Sequence, residues 1–174
     1  MDGLAGRRHA GHVTSPPPAV QLREITSENR EAVLALSVTE SQAAYVGGVA
    51  QSLVDAAETP DARPWFRAVY AGNEPVGFVM ISDGITVVNP EYLGPYFLWR
   101  LLIDQRYQGR GYGAAALHLV VDYVRSRPNA RVLLTSAGQG PQSPVGFYQR
   151  QGFRLTGEVH EGELVLELDL GVSR

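Results

Sequence analysis

Three alternate glycines occupy the stretch QGRGYG, which runs from Gln108 to Gly113. An apolar, strand-like segment from Phe97 to Ile103 precedes this stretch, and a helix-like segment from Ala114 to Arg125 follows it. A turn with so little side-chain bulk lets backbone N–H groups converge on an anion, and the start of a helix adds about half a positive charge. Arg106 and Arg110 could add formal charge. The residues therefore predict that this turn binds a phosphate group, but they do not identify the molecule that carries it.

One alternative is a dinucleotide-binding turn, because Gly109, Gly111 and Ala114 fit the pattern G-x-G-x-x-G/A. That site also needs an acidic residue about 20 positions further on, at the end of the next strand, to hold the ribose. The next predicted strand ends in Thr135 and Ser136, and no acid stands there. A second alternative is purely structural, since glycines also allow a tight connection between a strand and a helix.

Hydrophobic periodicity predicts a mixed α/β fold around the turn. Thr26 or Ser27 is expected to cap the first helix. The strand before the turn is long and almost entirely apolar, so it should be central in the sheet. A hairpin on each side of one strand–helix–strand unit makes the predicted sheet mixed but mostly antiparallel, with flanking helices. Strands are predicted over residues 20–25, 65–70, 75–82, 96–104, 131–135, 153–159 and 164–170, and helices over residues 26–38, 45–57, 114–125 and 144–150.

Length and composition favour a single globular domain. The chain has 174 residues, of which 44% are hydrophobic and 19% charged. Residues 1–19, rich in Gly, His, Arg and Pro, are predicted to be a disordered leader, and residues 20–174 to form the domain. No apolar run approaches the ~18–20 residues of a membrane span, and none resembles a signal peptide. With a net charge of −3 there is no basic field for nucleic acid. We therefore expect a cytoplasmic protein without membrane or nucleic-acid partners.

Missing residue types exclude several chemistries. The chain has neither cysteine nor lysine, which excludes disulfides, thiolate nucleophiles, cysteine-based zinc sites, lysine Schiff bases and P-loops. His118 and His160 are the two histidines outside the leader. His118 falls in the middle of a helix and is expected to be structural, and His160 is expected to be exposed at a hairpin tip. We predict no metal site.

A second stretch, GFYQRQGF from Gly146 to Phe153, indicates which phosphate-bearing molecule binds at the glycine turn. It resembles the F-Y-x-x-x-G-F motif of the Gcn5-related N-acetyltransferases, and Leu101 to Gly113 resembles motif A of that family, with its Q/R-x-x-G-x-G/A signature. The resemblance covers about residues 20–170. Trp99 to Asp104 and Gly140 to Pro144 are most similar to the spermine/spermidine acetyltransferase-like branch. The resemblance implies the acyl-CoA N-acyltransferase fold and a turn that holds the pyrophosphate of coenzyme A.

The resemblance also implies how acetyl-CoA would bind as the co-substrate. Backbone groups of the central strand would pair with the pantetheine arm, as an added strand pairs with a sheet edge. Backbone N–H groups of the glycine turn would hold the pyrophosphate. The family often has an asparagine where this chain has Pro141, so Ser143 is the expected substitute. The implied cofactor-binding residues are Leu101, Leu102, Ile103, Gln108, Gly109, Arg110, Gly111, Tyr112, Gly113, Ala114 and Ser143.

The same resemblance assigns the general acid to Tyr148. Attack of an amine on a thioester expels a thiolate, which a tyrosine with an ordinary pKa of about 10 can protonate. The alternative for Tyr148 is an aromatic residue that packs in the core or against the cofactor. For the base that neutralises the amine, Glu40 is preferred slightly, because the early helices wall the acceptor site in this fold, and Glu91 is the alternative. Asp104 is expected to be a turn or cap residue.

Together these observations predict an N-acetyltransferase that moves an acetyl group directly from acetyl-CoA to a primary amine of a small molecule, polyamine-like or other. Arg100 and Trp99 could favour an acceptor with a carboxylate or a flat group, although strand alternation would let only one of them reach it. Two alternatives stay open: a non-catalytic acyl-CoA-binding or sensor module, and a protein N-acetyltransferase. The sequence also leaves a homodimer open.

Overall fold

The computed structural model describes residues 18–171. The predicted disordered leader lies outside the described residues except for Pro18 and Ala19, which have no regular secondary structure. Residues 172–174 of the predicted domain also lie outside them. The leader therefore stays a prediction.

Within the described residues the chain forms seven strands and five α-helices. Short 3₁₀ turns lie at Pro60–Ala62 and Gln105–Tyr107. The strands are β1 (Gln21–Arg23), β2 (Pro64–Ala71), β3 (Glu74–Asp83), β4 (Tyr96–Ile103), β5 (Val132–Ala137), β6 (Arg154–His160) and β7 (Glu163–Asp169). The helices are α1 (Arg30–Leu34), α2 (Glu40–Ala43), α3 (Val49–Glu58), α4 (Tyr112–Arg125) and α5 (Val145–Arg150).

All of these strands join one sheet, in the order β1-β2-β3-β4-β5-β7-β6. Neighbouring strands are antiparallel except β4 and β5, which run parallel because α4 connects them as a crossover. Both predicted hairpins are present, as β2–β3 and as β6–β7. The mixed, mostly antiparallel sheet with flanking helices is thereby confirmed.

The segment before β2 differs from the prediction, because it forms three short helices where the periodicity predicts two. Helix α1 begins after Asn29, so the predicted caps Thr26 and Ser27 are wrong. The helix predicted over residues 45–57 begins only at Val49, because the extended Gly48 precedes it as N-cap and glycine is a poor helix former. The remaining turn, over residues 40–43, is the separate helix α2.

The parallel pairing of β4 with β5 is short. Phe97 pairs with Leu134 and Leu98 with Thr135, and the ladder ends there. Beyond this point β4 continues along β3 alone, while β5 pairs with β7 to its end. Among the described residues, the edge of β4 that faces β5 therefore has no strand partner over residues 99–103.

A β-bulge lies where the two strands diverge. Met80 of β3 is opposite Arg100, whereas Ile81 is opposite Leu98, so Trp99 is an extra residue on β4. A bulge bends its strand and increases the local twist. It therefore helps to turn β4 away from β5 and to open a gap between them.

The sheet has a buried core on each face. Helices α4 and α5 cover one face, with residues such as Leu117, and helices α1 and α3 cover the other. Alternation along β3 supplies both cores, since Val79 and Ile81 pack against the first pair of helices and Phe78 and Met80 against the second. Strand β4 is held between the two layers, with its free edge at the gap.

Candidate active site

The glycine turn (residues 108–113) ends at the start of α4. Gly109 and Gly111 have φ angles of +75° and +84°, a left-handed conformation that costs other residues about 1–2 kcal/mol. Gly111 is the N-cap of α4, and no described side chain caps this helix. Tyr112, Gly113 and Ala114 then form its first turn. The first N–H groups of α4 are therefore free of side-chain caps and can meet an anion.

Asp104 ties the end of β4 to this turn and is only 1% exposed. Its carboxylate accepts hydrogen bonds from the Ser37 N–H (2.9 Å), the Arg106 N–H (2.9 Å) and the Arg106 Nε (2.8 Å). Burial alone would raise the pKa of Asp104, but these hydrogen bonds outweigh it and lower the pKa below its usual value. Asp104 is thus a turn residue, as expected. The charge of Arg106 is offset by its ion pair with Asp104. The exposed Arg110 donates a hydrogen bond to the Arg106 carbonyl (3.2 Å).

A small cavity of about 150 Å³ lies between the diverging strands β4 and β5. Here the structure brings together several predicted site residues, namely Leu101 to Ile103 of β4, Gln108 of the glycine turn and Tyr148 of α5. Gln108 is fixed by a hydrogen bond from its Nε2 to the Ile103 carbonyl oxygen (2.8 Å). The other lining residues are Val38, Gln42, Tyr45, Val46, Trp99, Thr135, Ser136, Gln142 and Pro144.

Tyr148 is buried, and two aromatic residues hold its ring. The ring centroids of Phe147 and Phe153 lie 5.3 and 5.4 Å from that of Tyr148. Burial raises the pKa of Tyr148 to about 12; the Thr135 hydroxyl acts in the opposite direction, and the charge of Glu163 adds to the increase. Tyr148 therefore stays neutral, with its hydroxyl proton in place, throughout the physiological range. Its place in the small cavity agrees with either of the two roles predicted for it.

A large cleft of about 530 Å³ adjoins the small cavity. It is lined by three glutamates, Glu91, Glu161 and Glu163, of which Glu163 is half-buried and the other two are exposed. The cleft is rich in aromatic and polar side chains. Its other lining residues are Tyr45, Thr59, Ala62, Ser82, Ile85, Tyr92, Leu93, Phe97, Trp99, Arg100, Ser136 and His160.

Three residues, Tyr45, Trp99 and Ser136, line both the small cavity and the large cleft. They come from the α2–α3 loop, the bulge of β4 and the end of β5. The small cavity and the large cleft therefore connect beside these three side chains, and groups bound in the two spaces can approach each other there. We call this place the junction.

The expectation that only one of Trp99 and Arg100 reaches the cleft is wrong. Both line it, because the bulge at Trp99 interrupts the alternation of β4. The charge of Arg100 is paired within the protein, since its Nη2 forms an ion pair with Asp55 (3.2 Å) and its Nη1 donates to the Trp99 carbonyl (2.9 Å). Its Nε is buried and has no hydrogen-bond partner among the described residues.

Glu40 and Ser143 line neither cavity. Glu40 is exposed at the start of α2 and lines neither cavity, so the structure does not bring it to Tyr148. The Ser143 hydroxyl donates to the Gly138 carbonyl and accepts from the Val145 N–H (3.3 Å), which closes the β5–α5 loop on itself. Their predicted roles as base and as cofactor ligand remain predictions without geometric support.

Two placements were not expected from the sequence. His160 is half-buried rather than exposed, because its Nε2 lies 3.2 Å from the Glu91 carbonyl of the β3–β4 loop, which packs against the hairpin. Ser136 and Glu163 line the large cleft although neither belongs to a motif. The position of Ser136 near the end of β5, the strand parallel to β4, was a usable signal, whereas that of Glu163 depends on the β6–β7 register.

Comparison with known proteins decides the family. The model of the Acetyltransferase (GNAT) family matches residues 22–153. The chain belongs to this family. The match begins in β1 and ends after α5, so it includes the glycine turn and Tyr148.

Individual relatives agree with this assignment. The spermine/spermidine N(1)-acetyltransferase of Bacillus subtilis strain 168 is 29% identical over 158 residues, which cover 87% of this chain and 99% of the relative. An acetyltransferase from Thermus thermophilus has a TM-score of 0.63 at 23% identity, covering 86% of this chain and 96% of its own. PaiA N-acetyltransferase from Thermoplasma acidophilum, solved in complex with coenzyme A, has a TM-score of 0.57 at 14% identity, covering 87% and 99%. The fold is that of the acyl-CoA N-acyltransferases.

A GNAT protein is an N-acetyltransferase that uses acetyl-CoA as acetyl donor, and this chain is one. Its described residues fit that donor, because β4 offers a free backbone edge that leads to an uncapped helix start. Within residues 18–171, no three His, Asp or Glu side chains are grouped as a metal site. Over the same residues, no helix combines the length and the apolar character needed to cross a membrane.

Proposed function

We propose that this acetyltransferase acetylates a primary amine of a small molecule with more than one positive charge, such as a polyamine. The observation that carries the proposal is the group of three carboxylates, Glu91, Glu161 and Glu163, in the large cleft. This cleft meets the small cavity at the junction, so an amine bound among the carboxylates can reach an acetyl group held beside β4.

The balance of charge in the cleft favours a cation. Of the arginines in residues 18–171, Arg100 alone lines the cleft, and Asp55 offsets its charge. Among the described residues, no arginine forms an ion pair with the three glutamates of the cleft. The cleft therefore carries a net negative charge, which favours a cationic acceptor. An anionic acceptor would need an unpaired positive charge in the cleft.

Aromatic side chains strengthen the preference for cations. Tyr45, Tyr92 and Trp99 line the same cleft. A cation over an aromatic face gains about 0.5–1 kcal/mol when exposed and about 2 when desolvated. Acidic and aromatic groups together suit the alternating charges and methylene segments of a polyamine. The printed name of the B. subtilis relative, a spermine/spermidine N(1)-acetyltransferase, supports the same class of acceptor.

The roles of the small cavity follow from its residues. Bound acetyl-CoA supplies a thioester carbonyl, and we assign its pantetheine arm to the free edge of Leu101 to Ile103 and its pyrophosphate to the glycine turn. The acceptor nitrogen bonds to the acetyl carbon while the carbon–sulfur bond breaks. Tyr148 gives its hydroxyl proton to the departing sulfur. With its pKa raised to about 12, Tyr148 still holds that proton at any physiological pH.

The test is the release of coenzyme A by the purified chain with a panel of acceptors: spermidine, a diamine, a monoamine of equal length, an amino acid and a peptide with a free N-terminus. We expect kcat/KM for spermidine and the diamine to exceed that for the monoamine by about tenfold or more, which corresponds to about 1.4 kcal/mol. Glu161→Gln should reduce this ratio. Glu158→Gln, which removes an equal charge from the exposed face of β6, should leave it unchanged.

Other outcomes would point to the alternatives. A preference for the peptide would indicate a protein acetyltransferase. Tight binding of acetyl-CoA without turnover on any acceptor would favour a non-catalytic sensor. A preference for the amino acid would show that Arg100 can exchange Asp55 for a carboxylate of the acceptor.

A further inference from the structure

Ser136 and Glu163 form a hydrogen-bonded pair at the junction, through the Ser136 hydroxyl and Glu163 Oε2. Ser136 lines both cavities, and Glu163 lines the large cleft. An ionised carboxylate can only accept hydrogen bonds, so the Ser136 hydroxyl is the donor. The remaining lone pairs of the Ser136 oxygen can accept a hydrogen bond from an N–H group at the junction.

Acetyl transfer needs a base at this place. An alkylamine has a pKa of about 10.4, so on the order of one molecule in a thousand is neutral at neutral pH. The protonated form has no lone pair with which to attack a carbonyl carbon. A base beside the junction would deprotonate the abundant ammonium form of the substrate, so that the resulting amine can attack the acetyl group.

We propose that Glu163 is the general base and that Ser136 relays the proton to it. The acceptor ammonium gives a proton to the Ser136 oxygen while Ser136 gives its own proton to the Glu163 carboxylate. The nitrogen lone pair then bonds to the acetyl carbon as the carbon–sulfur bond breaks, and Tyr148 protonates the departing sulfur. The nitrogen gives its second proton to Glu163 by the same Ser136 route, which leaves a neutral amide, and a proton from water restores the Tyr148 hydroxyl. Glu163 returns each proton to water in the large cleft. The inference rests on the proposed function, because it requires a basic alkylamine as acceptor.

The other carboxylates are placed less well for this role. Glu40 lines neither cavity, and Glu91 and Glu161 are exposed in the large cleft, where they are not hydrogen-bonded to a residue of the junction. Glu163 also acts on the predicted acid: after burial, its charge contributes to the raised pKa of Tyr148. The two groups are therefore within electrostatic reach of each other, as an acid and a base that serve one reaction must be.

Several titratable or charged groups share the large cleft with Glu163 or, in the case of Tyr148, lie within its electrostatic reach. They come from α5, the hairpin, the β3–β4 loop, β4 and the α2–α3 loop, and they are Tyr148, His160, Glu161, Glu91, Tyr92, Arg100 and Tyr45.

The test is the pH profile of kcat/KM for spermidine, measured on the full chain with Glu163→Gln, Ser136→Ala and the control Glu161→Gln. We expect Glu163→Gln to lower kcat/KM about 100-fold at neutral pH. This loss should shrink as the pH approaches ~10, where the amine deprotonates without help. The KM for acetyl-CoA should not change. Ser136→Ala should show the same pH-dependent loss to a smaller degree, and Glu161→Gln should keep the shape of the wild-type profile.

A Glu163→Gln profile parallel to that of the wild type would overturn the proposal. Equal losses at every pH, together with a raised KM for spermidine, would make Glu163 a binding residue instead. If wild-type protein does not acetylate spermidine, the proposed acceptor is wrong, and the same profiles are measured with whichever alkylamine of the panel reacts. Thermal unfolding of each variant separates misfolding from a loss of the base, and Ser136→Ala carries the test if Glu163→Gln does not fold.

Discussion

The side-chain amides of Gln42 and Gln108 donate hydrogen bonds to each other, over N···O distances of 3.0 and 2.9 Å. The two residues are 66 positions apart, one in α2 and one at the start of the glycine turn. The same Gln108 nitrogen also donates to the carbonyl oxygen of Ile103, the last residue of β4. The pair thus joins one wall of the small cavity to the strand edge and to the turn that we expect to hold acetyl-CoA.

Gln42→Ala should weaken the binding of acetyl-CoA. The substitution removes both amide–amide hydrogen bonds and loosens α2 against the turn. Two such bonds contribute about 1–2 kcal/mol, so we expect the Kd for acetyl-CoA to rise about fivefold to thirtyfold in calorimetric titration. Gln149→Ala is the matched control, because Gln149 is exposed on α5. An unchanged Kd for Gln42→Ala would mean that the pair has no part in donor binding.

Tyr148→Phe should separate donor binding from catalysis. Phenylalanine keeps the ring contacts with Phe147 and Phe153 and removes the hydroxyl. We expect kcat to fall about 10²–10⁴-fold, because the leaving thiolate loses its proton donor, while the Kd for acetyl-CoA stays nearly unchanged. Steady-state kinetics and calorimetry on the same preparation check both. The acid role would be lost if turnover were unaffected. Phe147→Leu, which leaves the hydroxyl in place, is the control.

Gly111→Ala should destabilise the fold, whereas Gly113→Ala should not. Gly111 has a φ of +84°, and a Cβ there would lie 3.3 Å from Pro18 Cδ, so alanine adds strain and crowding. We expect a loss of about 1–2 kcal/mol in the free energy of unfolding. Gly113 lies in the first turn of α4, and its added Cβ would meet Phe147 and Ile103 at ordinary distances of 3.6 and 3.7 Å. Gly113→Ala should therefore be neutral or stabilising by up to ~1 kcal/mol. Equal melting temperatures for the two variants would contradict this assignment of strain.

Asp104→Asn should destabilise the fold at neutral pH and reduce its sensitivity to acid. The lowered pKa of Asp104 means that its stabilisation is fully present above the unfolded-state pKa of about 4. That stabilisation is lost as the pH falls through the lower pKa of the folded state. We expect the variant to lose about 2 kcal/mol at pH ~7, and the difference from wild type to narrow below pH ~3. Urea unfolding at both pH values measures it.

Asp122→Asn is the control for that experiment. Asp122 pairs with Arg125 on the surface of α4, and its side chain is 71% exposed. Surface pairs contribute about 0–1 kcal/mol, so this variant should stay close to wild type at both pH values. A comparable loss in both variants would show that the burial of Asp104 is not what makes it important.

The strand β4, the helix α4 and the turn between them could be predicted because their signals are local. Gly109 and Gly111 adopt the left-handed conformation that glycine alone adopts without strain, and the apolar run before them forms the central strand. The motif around Tyr148 likewise identified both the cofactor and the helix that carries it. These residues act through backbone conformation or through neighbours in the sequence.

The helices before β2 and the acceptor side could not be predicted in the same way. The bulge at Trp99 depends on how β3 pairs with β4, and it brings Arg100 to the cleft against the alternation of the strand. His160 is half-buried because a loop about 70 residues away packs against it. Neither effect has a local pattern.

The sequence by itself determined the family, the donor and the conformation of the glycine turn, since these depend on short motifs and on glycines that are adjacent in the chain. Only the tertiary structure decided which carboxylates share a cleft. Glu163 meets Ser136 through the pairing of β5 with β7, and Glu40, although it lies on an early helix, lines neither cavity. Contacts between distant residues depend on strand register and on how layers pack, and no single segment of the chain encodes them.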